Sequence, residues 1–212
     1  NQAGSVYAQY RRQHELNHDF LANYQRKFFD SRFDLSATVG MNINERGYRW
    51  MQGQTDNLAI YTDFWMLSNG ASRSVLNESE QKRRLVGVFG DVMLGWDEWV
   101  YLDITARNDW SSTLPKGNNS FFYPGVTLSG IFTKWIPSNR VLTFGKVRVA
   151  YGKTGNDASP YYTATNYIQA YADGTYARDI ISFPMNSVNA FRASTTSGSS
   201  SLRPEMTSEF EV

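Results

Sequence analysis

A strict alternation of apolar and polar residues around Tyr101–Gly130 is the constraint that narrows this chain most. Val100, Leu102, Ile104 and Ala106 fall at every second place, with Tyr101, Asp103, Thr105 and Arg107 between them. After a loop carrying Pro115, Gly117, Asn118 and Asn119, the period returns as Val126, Leu128, Gly130 and Phe132 against Thr127 and Ser129. Successive side chains of a strand point to opposite faces, so this pattern means strands with two chemically different faces. What the chain can be then depends on the solvent each face meets.

Five further stretches carry the same period. Glu15 to Phe28 places Leu16, Phe20, Ala22, Tyr24 and Phe28 on one parity. Phe33, Leu35, Ala37, Val39, Met41 and Ile43 form the cleanest run, opposed by Asp34, Ser36, Thr38, Gly40, Asn42 and Asn44. Arg83 to Gly95 carries Val86, Val88, Val92 and Leu94. Val141 to Gly152 sets Val147, Val149 and Tyr151 against Lys146, Arg148 and Ala150, and a last run begins near Leu202. With Trp99–Asp109 and Phe122–Lys134 this predicts seven strands, and residues 45–82 and 153–201 read as long connections.

The predicted connections alternate short and long. Outer-membrane barrels are built this way, with short periplasmic turns and long extracellular loops, whereas a soluble sandwich has no reason to sort them. Aromatics gather near strand ends: Trp96, Trp99 and Trp135 at the short-turn end, Trp110, Phe121, Phe122, Tyr123 and Tyr151 at the other. Two such girdles are expected where a barrel meets two headgroup layers. On the second face, Asp103, Arg107, Lys146, Arg148, Glu209 and Glu211 would be costly in a dry core, and a hydrated or plugged lumen accommodates them.

Composition agrees with this and excludes several classes. Mean hydropathy is −0.48 and no run of about 18 apolar residues exists, which excludes a spanning helix but not spanning strands, whose polar face dilutes hydropathy. Net charge is +1, giving no reason to expect nucleic acid. The chain has no cysteine, so disulfides and thiolate metal sites are excluded. The opening Asn1-Gln2-Ala3-Gly4-Ser5 carries no initiator Met or signal peptide, and the last alternation stops in mid-pattern at Val212. Seven strands would leave open edges, so we expect a piece of a longer barrel, 1–212 being a partial barrel domain.

The stretch YLDITARNDWSSTLPKGNNSFFYPGVTLSG resembles the barrel signature of SusC/RagA-type TonB-dependent outer-membrane transporters of the Bacteroidota. The resemblance continues through LTFGKVRVAYGKTGND (Leu142 to Asp157) and LRPEMTSE (Leu202 to Glu209), and more loosely through Phe33 to Gly40 and Asn23-Tyr24. It implies an all-β fold, part of a barrel of about 22 strands closed by an N-terminal plug. It implies a SusD-like surface lipoprotein lid, TonB as energy relay, and import of a glycan or oligopeptide across the outer membrane of a Gram-negative bacterium. No enzyme activity and no cofactor follow from it. The plug and TonB box have no counterpart in these residues, so this chain would supply wall, lumen lining and outer loops of the later barrel half.

Sharper motifs weigh little. His14 and His18 share a strand face but lie about 13 Å apart along it, too far for one metal. Gly152-Lys153-Thr154 matches the end of a phosphate-binding loop, but the earlier glycine position holds Val147. Asp97, Glu98, Asp103 and Asp109 could be posed as a glycosidase pair, yet the first two read as turn residues and Asp103 as lumen-facing. Arg107, Asn108 and Asp109 read as hydrogen bonds tying loop 110–121 to the rim. The candidate substrate contacts are Tyr161, Tyr162, Tyr167, Tyr171 and Tyr176, whose flat amphipathic rings suit a sugar or protein surface. Trp50, Tyr61, Phe64 and Trp65 could meet the lid, and Gln81-Lys82-Arg83-Arg84 reads as a rim charge cluster facing lipid phosphates. Two other folds stay open: a soluble carbohydrate-binding β-sandwich, which would bury the Phe33–Ile43 face, and a secreted glycosidase dependent on Asp103.

Overall fold

The computed structural model describes residues 4–60, 63–71, 75–136, 141–169, 188 and 190–212. The strands are β1 (Ser5–Phe28), β2 (Phe33–Asp56), β3 (Val75–Trp96), β4 (Val100–Ser111), β5 (Ser120–Gly130), β6 (Val147–Asn156), β7 (Tyr167–Gln169), β8 (Phe191–Ala193) and β9 (Glu205–Glu211). Seven of them form one antiparallel sheet in the order β1-β2-β3-β4-β5-β6-β9, and β7 pairs with β8 in a separate small hairpin. The predicted seven-strand meander is therefore present. Among the described residues no helix is long and apolar enough to cross a membrane, which says nothing of strands.

Directly opposed residues of paired strands share a face. Phe33, Leu35, Ala37, Val39, Met41 and Ile43 stand opposite Trp96, Leu94, Val92, Gly90, Val88 and Val86 of β3. The same face continues through Val100, Leu102, Ile104 and Ala106, then Gly130, Leu128, Val126 and Pro124, then Val147 and Val149. On the other side it runs into Phe28, Tyr24, Ala22 and Phe20 of β1, interrupted by Arg26 opposite Leu35 and His18 opposite Ile43, the two breaks visible in the sequence. From Phe33 to Ile43 the chain rises about 34 Å, or about 24 Å along a barrel axis at the ~45° tilt of membrane strands, which is the height of their apolar band.

This band has no cover. Val39 is 61% exposed and Phe20 62%. Among the described residues the buried apolar side chains are Leu58, Leu114 and Phe121, all in or beside the long connections. The accessible surface is 16087 Å², where a compact soluble chain of this mass exposes about 10,000 Å². A sandwich needs a second sheet against the first. The described residues provide only the three-residue β7–β8 pair, so the soluble sandwich is not this fold.

Several boundaries differ from the sequence reading: β1 begins at Ser5 and not near Glu15, β5 ends at Gly130 and not Lys134, and β6 begins at Val147 and not Val141. Residues 45–82 are not one long connection, because β2 continues to Asp56 and β3 begins at Val75. Trp50 is thus a strand residue, on the polar face opposite Arg11 and Ser79. Phe64 and Trp65 do lie in the connection, while Tyr61 falls outside the described residues. The turn at the opposite end is tight: Asp97 and Glu98 adopt φ of 49° and 58°, and Phe29, Asp30 and Ser31 are also left-handed. Trp99 and Trp135 meet edge to face there, with centroids 4.2 Å apart, and Phe33 packs beside Trp96.

Candidate functional site

The polar face carries interlocked side chains. On β1 and β2, Asn42 donates to Asn17 at 3.0 Å and Asn44 to Glu15 at 2.7 Å. Arg46 donates to the same Glu15 oxygen at 2.9 Å, and Thr38 donates to Asn23. Further across, Arg107 pairs with Asp109 at 2.8 Å, and Tyr123 donates to the same carboxylate. That pair lies against Gly87, where a Cβ would come within 2.3 Å of Asp109 Oδ1, so a side chain there would push the pair aside. Phe121 and Tyr123 oppose Asp109 and Arg107 and so belong to this face, not to the outer girdle. Trp110 and Phe122 oppose Val86 and Asn108 and keep their outer position.

At the long-loop end a second cluster ties three segments together. β4 ends at Ser111, opposite Leu85, so the upper part of β3 has no β4 neighbour. That edge is capped by loop residues. Ser112 N–H donates to the Arg84 carbonyl, and Arg84 N–H donates back to Ser112 Oγ at 2.8 Å. Lys82 N–H donates to the Tyr161 hydroxyl at 3.2 Å. Asp157, directly after β6, accepts two bonds from the Arg83 guanidinium, at 2.8 and 2.5 Å. It also accepts from Ser111 and, at 3.0 Å, from Thr113. Burial alone would push the Asp157 carboxyl up, but Arg83, Ser111 and Thr113 outweigh it and hold it below the ordinary carboxylate range. The Asp157 side chain is 3% exposed, so this is a desolvated pair with its hydrogen-bonding capacity filled.

The expected rim role of Arg107–Asp109 holds in part. Asn108 bonds Ser120 across the hairpin at 3.0 Å, but the residue gathering the loop is Asp157, which the sequence reading left unassigned. Its nearest signal was the Thr154-Gly155-Asn156-Asp157 run closing an alternating strand.

A shallow concavity of about 280 Å³ opens on the polar face beside Gly125 and Gly152, lined by Asp103, Thr105, Thr127 and Glu209. Asp103 Oδ1 is buried there beside the Asp91 carboxylate, with no donor among the described residues.

The posed acid pair is not assembled. Asp97 and Glu98 lie in the β3–β4 turn, where Glu98 binds Lys134 at 3.1 Å and Asp97 faces Arg32. Asp109 is at the other end of β4, about 35 Å away at ~3.3 Å per residue, against the roughly 5–10 Å a glycosidase needs. Lys134 holds the Glu98 carboxyl below its usual range. Among the described residues no three His, Asp or Glu come together as metal ligands.

Of the loop tyrosines, Tyr161 is anchored through its hydroxyl with its ring half exposed, and the Tyr162 carbonyl accepts from Ser199 N–H. Tyr167 opens β7 and is 74% exposed. Tyr171 and Tyr176 lie outside the described residues. The described three are not gathered into one pocket lining.

No family model and no curated protein matches the chain. Solved structures do. A chain in the structure of the RagAB peptide transporter superposes with a TM-score of 0.80 at 21% identity, over 96% of this chain and 22% of that one. The RagAB peptide importer in its closed-closed state gives 0.79, and in its open-open state 0.74, each at 22% identity and the same coverage. The chain spans about a fifth of the length of those proteins and shares the fold of that portion, an antiparallel β-barrel wall.

Proposed function

We propose that this chain is a wall segment of a SusC/RagA-like importer that admits an oligopeptide or glycan across the outer membrane, driven through TonB. The observation that carries the reading is the division of one continuous sheet into an uncovered apolar band and a hydrogen-bonded polar face. The likeness to the RagAB chains supports it, and their printed cargo favours peptide over glycan. In this reading the apolar band meets lipid. The polar face meets the lumen and a plug carried elsewhere in a longer protein. The orphan oxygen of Asp103 is then a place for a plug donor.

A SusD-like lipoprotein closes over the long-loop end, with Ile60, Phe64, Trp65 and Met66 as exposed apolar contacts for it. Tyr161, Tyr162 and Tyr167 are the candidate cargo contacts on the described loops, with Tyr171 and Tyr176, which lie outside the described residues, as further candidates. The Asp157 cluster keeps that rim in place while the lid moves.

The test uses the complete protein in cells. Uptake of a labelled peptide mixture is expected to stop on collapse of the proton gradient and on deletion of the lipoprotein that co-purifies. Uptake that persists without the gradient sinks the energised reading. A complete protein that stays monomeric in plain buffer sinks the barrel.

A further inference from the structure

We infer that the outer face of β1–β3, directly above the apolar band, binds phosphate groups of outer-leaflet lipid headgroups. The inference rests on the barrel reading, because it needs this face to lie at the membrane surface.

The register decides which cations are available. In Gln81-Lys82-Arg83-Arg84, Lys82 and Arg84 stand opposite Gly47 and Glu45, on the face that carries Val39 and Ile43. Arg83 points the other way and is held by Asp157. Arg12 and Arg49 oppose each other one row higher, and His14 opposes Gly47. Gly47 has no side chain, and His14 occupies that space: an added Cβ would come within 2.1 Å of the ring. Counting rows up from Ile43, Arg84 lies about 5 Å, Lys82 about 10 Å and Arg12 about 14 Å above the band at the tilt used before, through the depth of a headgroup layer.

These cations are exposed. Arg84 is 64% exposed beside Glu45, and Lys82 71% beside Glu80. Exposed pairs of this kind are weak, so a phosphate can displace a carboxylate at small cost. Arg12 is exposed with no ion-pair partner among the described residues. The same face carries Glu45, Glu78 and Glu80, paired with Arg84, Arg49 and Lys82, so Arg12 is the surplus cation at this depth and the one a lipid phosphate meets without displacing a carboxylate. Arg11, next to it in sequence, points to the polar face opposite Trp50 and cannot reach the same layer.

The experiment places the complete protein in phosphatidylcholine nanodiscs containing diphosphorylated lipid A or lipid A stripped of both phosphates, and measures protein-bound lipid A by titration. Wild type is expected to prefer the phosphorylated form, with the preference falling as salt rises. Arg12→Gln should weaken it roughly fivefold, and Arg12→Gln with Lys82→Gln and Arg84→Gln about a hundredfold. Arg11→Gln should leave it unchanged. Arg12→Gln alone keeps the test decisive if the triple variant folds poorly. Equal binding of both lipid forms, or equal loss in Arg11→Gln and Arg12→Gln, overturns the phosphate contact while leaving the barrel intact. Failure of the complete protein to enter nanodiscs overturns the barrel reading itself.

Discussion

Up to Ile43 the outer face of β2 reads Phe33, Leu35, Ala37, Val39, Met41, Ile43; beyond it, the same face reads Glu45, Gly47, Arg49, Met51. The backbone does not change between these halves: β2 pairs with β1 and β3 throughout, in unbroken register. What changes is side-chain chemistry. On the barrel reading, one face of the lower half meets hydrocarbon, so side-chain polarity must alternate. On the same reading neither face of the upper half meets hydrocarbon, and the ladder is held by main-chain hydrogen bonds, cross-strand pairs and the loop residues that cap the edge of β3.

The sharpest way to break this contrast is to remove the cap. Asp157→Ala leaves the partly buried Arg83, Ser111 and Thr113 without their shared acceptor and should cost about 3 kcal/mol. Hydrogen exchange should locate the loss in the upper part of β3 and residues 111–113, with the apolar half keeping its protection. Uniform loss along β3 would mean the halves are not separate. Next in size, Val39→Arg puts a charge within the band and should cost about 2–4 kcal/mol of unfolding free energy in lipid. Met51→Arg, on the same face above the band, should change it by less than about 0.5 kcal/mol. Equal costs would place Met51 in lipid too.

A smaller effect is expected from pH. The folded Asp157 carboxyl titrates below its ordinary value of 3.8, so its contribution is fully present above that pH and is lost as pH falls through the folded value. Amide protection around Thr113 should therefore be flat from pH 7 to about 5 and fall below about pH 4. Smallest of all, Arg49→Gln removes the exposed pair with Glu78 and should leave the urea midpoint unchanged.

The same contrast explains what could be read from residues alone. The strands of the apolar band were legible, because Phe33–Ile43 and Val100–Ala106 alternate between two chemically different faces. The upper ends of β1, β2 and β3 were not. Arg46, Tyr48, Trp50 and Gln52 alternate with Gly47, Arg49 and Met51, and neither set is apolar enough to register as a face. Strand persistence there comes from neighbours, which a single sequence does not display. The rim cluster was hidden for another reason: Arg83, Ser111, Thr113 and Asp157 are far apart in sequence, and only the register brings them to one carboxylate. Phe121 and Tyr123 were placed with the girdle because aromatic character alone does not tell parity, whereas pairing with Asp109 and Arg107 does.

The two tight turns have a consequence for how such a wall comes into being. Phe29 to Arg32 join strands of 24 residues each, and Asp97 to Trp99 join β3 to β4. Closing so few residues costs little chain entropy, whereas bringing β2 to β3 must first order the long stretch between them. The hairpins β1–β2 and β3–β4 are then the natural folding units. Their registers are set at these turns before their upper ends meet. A one-residue slip at Phe29–Arg32 would turn Val39 inward and Thr38 out to lipid, so these few left-handed residues act as the index mark from which the chemistry of every row above is counted.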